Sequence, residues 1–295
     1  MRESADKLVH QAQGTGRWLP ADARQLRADI FEYLDKADVP AANGAILAGI
    51  APHAGYVYSG PIAGYTFRAV QAAIAAGQTV ETVVVLGLSH QAAFSGVILL
   101  DGDAIRTPLG ETPLDVAGTQ MLAAGSDRIR VAYGPHAGEH SAENEIPFVQ
   151  VAAPGAALIV GLLGDHTDAT VDALVEGLVK LGRDRKLLVI ASSDLLHDPD
   201  YVAVTARDQA TLALIKTLDA RGLAEDWNPR RQVCCGIGPV LTVLRYAARL
   251  GCTAGEVLRY RNSGDDHPES RGNWVVGYGA VVFRTSAAQV PGNSD

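Results

Sequence analysis

Three short apolar runs recur along this chain, and each stops at residues able to do chemistry. Residues 82–88, Thr-Val-Val-Val-Leu-Gly-Leu, end at Ser89-His90; residues 45–52 end at His53; residues 186–191 end at Ser192-Ser193-Asp194, with His197 just beyond. A continuous apolar run, without alternation, predicts a strand buried on both faces, as in a parallel sheet covered by helices. A fourth such run, 157–163, ends at Gly164-Asp165-His166. The first three strands would bring His53, His90, Asp194 and His197 to one end of one sheet, where open α/β sheets build their sites.

Between the runs the apolar spacing turns helical. Leu26, Ile30, Phe31 and Leu34 predict a helix over 21–37. Further helices are predicted over 61–76, with Pro61 in the first turn, and over 116–124, 170–181 and 202–219. Another opens at Cys235-Gly236-Ile237-Gly238-Pro239 and ends near Leu250-Gly251. Residues 96–100, 256–261 and 274–283 read as additional strands, whereas Pro108 and Pro113 predict a loop over 107–113, and 226–229 reads as another loop. Residues 1–20 read as an irregular arm carrying Trp18 and Pro20, and 285–295 as a frayed tail. No linker or repeat divides the chain. The expectation is one α/β domain over 1–295, a sandwich with a mostly parallel central β-sheet flanked by helices.

A hydrophobic content of 47% and 31 glycines suit such a well-cored fold with many tight turns. The 25 basic and 33 acidic residues give a net charge of −8, and no basic run is interleaved with aromatics, which argues against a nucleic-acid surface. The N-terminus lacks a signal-peptide core, and no run approaches about 18 apolar residues, so a cytosolic protein that does not span a membrane is expected. Cys234, Cys235 and Cys252 make an odd count and imply no disulfide framework, leaving thiolate chemistry or burial.

His53 and His90 hold matched strand-end positions, so they read as metal ligands or as hydrogen-bonded turn residues. Cys235, at or just before a helix N-terminus, would be favoured as thiolate, and Gly236 would let a ligand approach; adjacent Cys234 leaves the register open. Asp194 and His197, three residues apart, suit an oriented general base, an aspartate helix cap, or both. Residues 131–148 crowd His136, Glu139, His140, Glu143 and Glu145 together, more than a structural loop needs. His140-Ser141-Ala142-Glu143 is not a zincin motif, and Asn144 breaks the inverted one. A Gly-x-Ser-x-Gly elbow, a phosphate-binding loop and a dinucleotide fingerprint are all missing. Tyr56 and Tyr58 flank the His53 loop and would line a pocket or pack the loop.

These segments resemble the signature of the Memo family, which includes protein B of the AmmeMemoRadiSam set. The resemblance rests on Ile50-Ala51-Pro52-His53-Ala54-Gly55-Tyr56, Gly87-Leu88-Ser89-His90, Glu139-His140-Ser141-Ala142-Glu143 through Pro147-Phe148, Ser192-Ser193-Asp194-Leu195-Leu196-His197 and Cys235-Gly236. Residues 12–20 are similar to the family's N-terminal element. The resemblance implies a fold similar to class III extradiol dioxygenases and a metal site of two His and one Cys. Carried over, the ligands are His53, His90 and Cys235, with Fe(II) first and copper or zinc as alternatives. Asp194 and His197 would line the pocket, with His197 as acid/base, and Tyr56, His140 and Glu143 are possible pocket residues. The implied activity is a dioxygenase-like oxidoreductase acting on a small aromatic or enol-like molecule. The alternative is a non-catalytic metal- or peptide-binding scaffold. Other AmmeMemoRadiSam proteins are implied partners; nucleic acid and membrane are not. The chain departs from the family at Leu88, at Ile237-Gly238-Pro239 and at Asp198, all on the substrate side.

Overall fold

The apolar runs form the strands that their lack of alternation predicts. The computed structural model describes residues 7–41, 43–230 and 232–285. In its first half the chain forms β1 (Val9–Gln11), α1 (Ala23–Lys36), β2 (Ile46–Ala51), α2 (Tyr56–Ala75) and β3 (Thr82–Leu88). There follow β4 (Val97–Leu99), β5 (Ala104–Thr107), β6 (Gly110–Pro113), α3 (Val116–Ala124), β7 (Ile129–Val131) and α4 (Ile146–Ala152). Next come β8 (Ala157–Leu163), α5 (Asp168–Leu181), β9 (Leu187–Ser192), β10 (His197–Asp198) and α6 (Tyr201–Lys216). The last are α7 (Ala220–Asp226), α8 (Ile237–Arg249), β11 (Gly255–Asn262), α9 (Ser263–Asp266) and β12 (Val275–Arg284).

The main sheet runs β10-β12-β2-β9-β3-β8-β4-β7, with β11 also on β12. Its centre, β2, β9, β3 and β8, is parallel throughout. β12 is antiparallel to β2 and β4 antiparallel to β8, so the α/β sheet is mixed at its flanks. Alternate β3 residues serve opposite cores. Val83 and Val85 pack with Leu26 of α1, Phe67 of α2 and Phe148 of α4. Val84 and Leu86 pack with Leu122 of α3, Leu174 of α5 and Val240 of α8. Both faces are dry, which explains why the strands carry no polar alternation.

Three local expectations are corrected. α2 begins at Tyr56 rather than Pro61, because Gly55 caps it and Pro61 is tolerated inside; Val57, whose carbonyl loses its N–H partner, is an exposed residue. The predicted loop 107–113 is instead the turn and second strand of a β5–β6 hairpin, with Thr107 opposite Gly110. Its prolines sit at the turn and at the strand end, where no ladder N–H is needed. The helix predicted over 202–219 stops at Lys216; Leu218 turns with φ 55°, and Asp219 caps α7 by accepting the Gly222 N–H.

The N-terminal arm is ordered where described. β1 joins β5 and β6 in a three-stranded sheet. Residues 12–20 then fold over the main sheet's C-terminal edge, where Trp18 O accepts the Tyr56 N–H at 2.9 Å. The arm's first six residues, and 286–295 of the expected tail, lie outside the described residues. Glu143 anchors the arm by accepting the Gln13 N–H, and it does not line the cavity described below, where it was a possible pocket residue. Among the described residues no helix is long and apolar enough to cross a membrane.

Two measurements test these packing relations. At Gly277 in β12 a Cβ would lie 1.8 Å from Asp208 Oδ2, whose carboxyl also accepts the Leu196 N–H at 3.0 Å. Gly277→Ala is therefore expected to cost about 1–3 kcal/mol or more in denaturant melts. Gly134→Ala, with nothing within 4 Å, should stay within about 0.5 kcal/mol. Equal stabilities for the two variants would refute the close approach.

The second measurement concerns pH. Burial pushes the Glu143 carboxyl up to about 8 from 4.5. An acid raised on folding contributes its full stability below the unfolded value and loses it as pH climbs through the folded one. Between pH 5 and 8 this one group should cost wild-type protein up to about 1.4 kcal/mol per pH unit. Glu143→Gln keeps an acceptor for Gln13 without titrating, so its stability should fall less steeply over that window. Parallel curves would show that Glu143 is not the group responsible.

Candidate functional site

Three parallel strands end side by side and hand their next residues to one place. β2 leads to His53, β3 to His90, and β9 ends at Ser192 with Ser193 and Asp194 following. His197 returns in β10 against Val276 of β12, and Cys235 enters just before α8. Residues 134–145 supply Glu139 and His140 from above. Their second 3₁₀ turn, Glu143–Glu145, runs directly into α4.

The structure brings Cys235 to His53: Sγ and Nε2 lie 3.3 Å apart. His90 faces His53 edge-on, with ring centroids 5.6 Å apart. A nitrogen of His53, a carboxylate oxygen of Asp194 and Cys235 Sγ lie within 4.8 Å of one another, so the third member of the tightest donor group is Asp194 and not the expected His90. Cys234 is fully buried in the core beneath α8, which settles the cysteine register. Gly236 serves packing rather than ligand approach, since a Cβ there would lie 2.7 Å from Ser192 O.

Each imidazole is held from behind. Glu139 Oε1 lies 2.9 Å from His90 Nδ1. Burial raises the Glu139 carboxyl, but hydrogen bonds from the His90 ring and from the His90 and Ser141 backbone outweigh it and hold the group at about 2. An ionised carboxylate only accepts, so the proton in this bond sits on His90 Nδ1. His53 Nδ1 lies 2.9 Å from Ser192 Oγ. Burial, then the His90 charge, holds His53 down at about 3, and burial, then His53, holds His140 at about 3. Both rings are neutral at pH 7.

His140 is sandwiched, stacked on Trp18 at 4.1 Å and on His90 at 5.0 Å. Nitrogens of His90 and His140 and a Glu139 oxygen also lie within 4.8 Å of one another. That second group is held together by hydrogen bonds of its own. Glu139 is already accepting N–H groups from His90, His140 and Ser141. The two rings are stacked face to face, only 16° from parallel.

Asp194 Oδ1 accepts the His53 and Ala54 N–H groups, and Oδ2 lies 3.8 Å from His197 Nε2. Burial raises the Asp194 carboxyl and lowers the His197 imidazole. His197 Nε2 is buried with no hydrogen-bond partner. The aspartate is thus not a helix cap; it ties the His53 loop to the His197 turn. Cys235 was expected to favour thiolate at the helix entrance. Burial, and then the Asp194 charge, instead push its thiol well up, against the N–H that Asp194 donates to Sγ at 3.2 Å. Tyr56 lines the cavity described below and also packs: its hydroxyl donates to Asn144 O at 2.7 Å and its ring lies against Phe148.

The donors fit a transition metal. Bonds of about 2.0 Å to nitrogen and about 2.3 Å to sulfur place neighbouring ligands of one ion about 3.1–3.6 Å apart, the range in which His53 Nε2 and Cys235 Sγ already sit. Imidazole with thiolate suits iron, copper or zinc, and not magnesium or calcium. A cavity of about 1070 Å³ opens over His53, His90, His140, Asp194 and His197, walled by Trp18, Tyr58, Trp274 and Tyr278. Cys235 faces an adjoining cavity of about 440 Å³, which shares His197 and Trp274 with the first. Reading the chain alone missed the supporting roles of Trp18, Glu139, Glu145 and Ser192. The only sequence signals were the acidic neighbour of His140 and the serine closing a buried strand.

Residues 10–282 match the family model described as Memo-like protein. The chain is 33% identical over 279 residues to a MEMO1 family protein of Methanopyrus kandleri, covering 91% of this chain and 96% of that protein. It is 30% identical over 290 residues to a MEMO1 family protein of Ignicoccus hospitalis, covering 94% and 99%. A third, from Sulfurisphaera tokodaii, is 32% identical, covering 79% and 81%. With a family match over nearly its whole length and relatives aligned end to end, the chain belongs to the Memo-like protein family.

Proposed function

We propose that the protein is a cytosolic, metal-dependent oxidoreductase. It holds one Fe(II) or copper ion between His53, His90 and Cys235 and acts, in the manner of an extradiol dioxygenase, on a small aromatic or enol-like molecule. The observation that carries this reading is the 3.3 Å approach of His53 Nε2 to Cys235 Sγ, beside a cavity that His53, His90 and His197 line. Such an ion, when bound, supplies Lewis acidity and redox chemistry. A neighbouring cation would also offset the burial that keeps Cys235 protonated, since metal binding and thiol deprotonation are linked.

The protein's own residues account for the rest. Burial keeps His197 neutral at pH 7, so it can take a hydroxyl proton from substrate, and Asp194 Oδ2 stands 3.8 Å away to stabilise the imidazolium. Trp18, Tyr58 and Trp274 wall the cavity and would exclude water around an aromatic substrate. One observation favours the rival reading of a peptide-binding scaffold. Val57, Tyr58 and Trp274 are 65%, 45% and 58% exposed at a cavity larger than a single small ring needs.

Anaerobic purification with metal analysis, followed by oxygen uptake across a panel of catechols, separates the readings. Wild-type protein should carry about one iron or copper and consume oxygen with one of the substrates. His53→Ala and Cys235→Ala should each lower metal affinity by more than about tenfold. His197→Gln should keep the metal and lose about 10²–10⁴-fold in turnover. Unchanged metal content in both ligand variants refutes the centre. Bound metal with silence across the panel favours the scaffold, and zinc alone implies a redox-silent site.

A further inference from the structure

We propose that Glu145 is carried as a neutral carboxylic acid that donates to Ser192, and that it is thereby the positioning residue for the His53 ring. Ser192 Oγ has three close partners: Ser141 O at 2.6 Å, Glu145 Oε1 at 2.9 Å and His53 Nδ1 at 2.9 Å. A serine hydroxyl has one proton to give and two lone pairs to receive with. The Ser141 carbonyl has no proton of its own, so at 2.6 Å it must take the one that Ser192 has. Glu145 and His53 are then left as donors. Each bond in the group has a proton only if Glu145 is protonated and His53 carries its proton on Nδ1.

The surroundings agree. Glu145 is 1% exposed, and its Oε2 is buried without a hydrogen-bond partner. An unpartnered oxygen costs far less on a neutral acid than on a carboxylate. The ionisable groups facing it are Asp194 from the end of β9, Tyr56 from α2 and, through Ser192, His53. None of these brings a positive charge at neutral pH. Burial accordingly raises the Glu145 carboxyl well above its ordinary value.

One consequence is that the two imidazoles are electronically unequal. His90 donates to an ionised Glu139, which makes its Nε2 the more basic. His53 donates to a hydroxyl backed by a neutral acid, and its Nε2 is the weaker donor beside Cys235. That these nitrogens serve a metal rests on the proposed function; the placement of the protons does not.

Three measurements decide it. In metal-free wild-type protein, infrared difference spectra against Glu145→Gln should show the band of a protonated carboxyl that the variant lacks. Nitrogen-15 histidine spectra should report His53 protonated at Nδ1. After metal loading, Glu145→Met should weaken binding about 10–100-fold, and Glu145→Gln, which keeps an N–H donor, should stay within about twofold. A carboxylate band in place of the acid, a His53 protonated at Nε2, or a Glu145→Met protein that binds metal as wild type does would each overturn the proposal. If no metal binds to any form, the metal reading fails, and the infrared and nitrogen measurements on wild-type protein still decide Glu145.

Discussion

Imidazoles crowded together need fixed acceptors for their N–H groups, and at the end of this sheet a buried His53 meets a more open His90. His53 is 3% exposed, in contact with His90 and His140, and a proton on any of these rings would repel the others. Burial keeps His53 and His140 neutral, and the N–H groups of His53 and His90 each have a fixed address. Glu139 takes that of His90, and Ser192 takes that of His53. Once those bonds are fixed, the remaining ring nitrogens have directions. Imidazoles held in fixed orientations by their own N–H bonds are what distinguish this pocket from an ordinary polar crevice.

The fold supplies the fixed addresses cheaply. β2, β9 and β3 are neighbours in parallel register, so their C-terminal ends release chain at the same level. Ser192 can face His53 because Ala51 pairs with Ser192 across that register. The acceptor for His90 comes from elsewhere, on the segment between β7 and α4. That segment is clamped down by Ser141, whose hydroxyl donates to Leu88 O at 2.7 Å. Gly87 makes the clamp possible, since a Cβ there would lie 2.4 Å from Ser141 Oγ. The arm carrying Trp18 closes the last side through its stack on His140. Sheet, inserted segment and arm each contribute one wall.

Much of this was legible in the chain because burial on both faces leaves an unmistakable mark. Val83-Val84-Val85 has nothing polar in it, and strand ends carrying His53, His90 and Asp194 could be read directly. Pro61 misled because proline is most often found in a first turn, whereas here Gly55 had already started the helix. The β5–β6 hairpin was hidden because its prolines occupy positions without ladder bonds. The supporting residues were invisible for a different reason. Glu139 meets His90 across 49 positions, and Ser192 meets His53 across 139. No local periodicity encodes such pairs; the topology has to be known before they can be seen. Cys235 against Cys234 was likewise undecidable until the start of α8 fixed which sulfur faces the core.

Three glutamates on one short segment show how closely charge follows hydrogen bonding here. Glu139, Glu143 and Glu145 are 2%, 3% and 1% exposed, so desolvation by itself would make all of them neutral. Glu139 escapes because it accepts N–H groups from the His90 ring and from the backbone of His90, His140 and Ser141, and it stays ionised down to about 2. Glu143 accepts only the Gln13 N–H and rises to about 8. Glu145 faces a serine hydroxyl, and burial, then the Asp194 charge, raises it well above its ordinary value. A carboxylate accepting several N–H bonds keeps its charge in a dry site, and one with a single donor does not. The segment therefore places one negative charge behind His90, a near-neutral anchor under the arm and an uncharged acid behind His53. The distribution of donors, rather than the number of acidic residues, sets the charge that the centre presents.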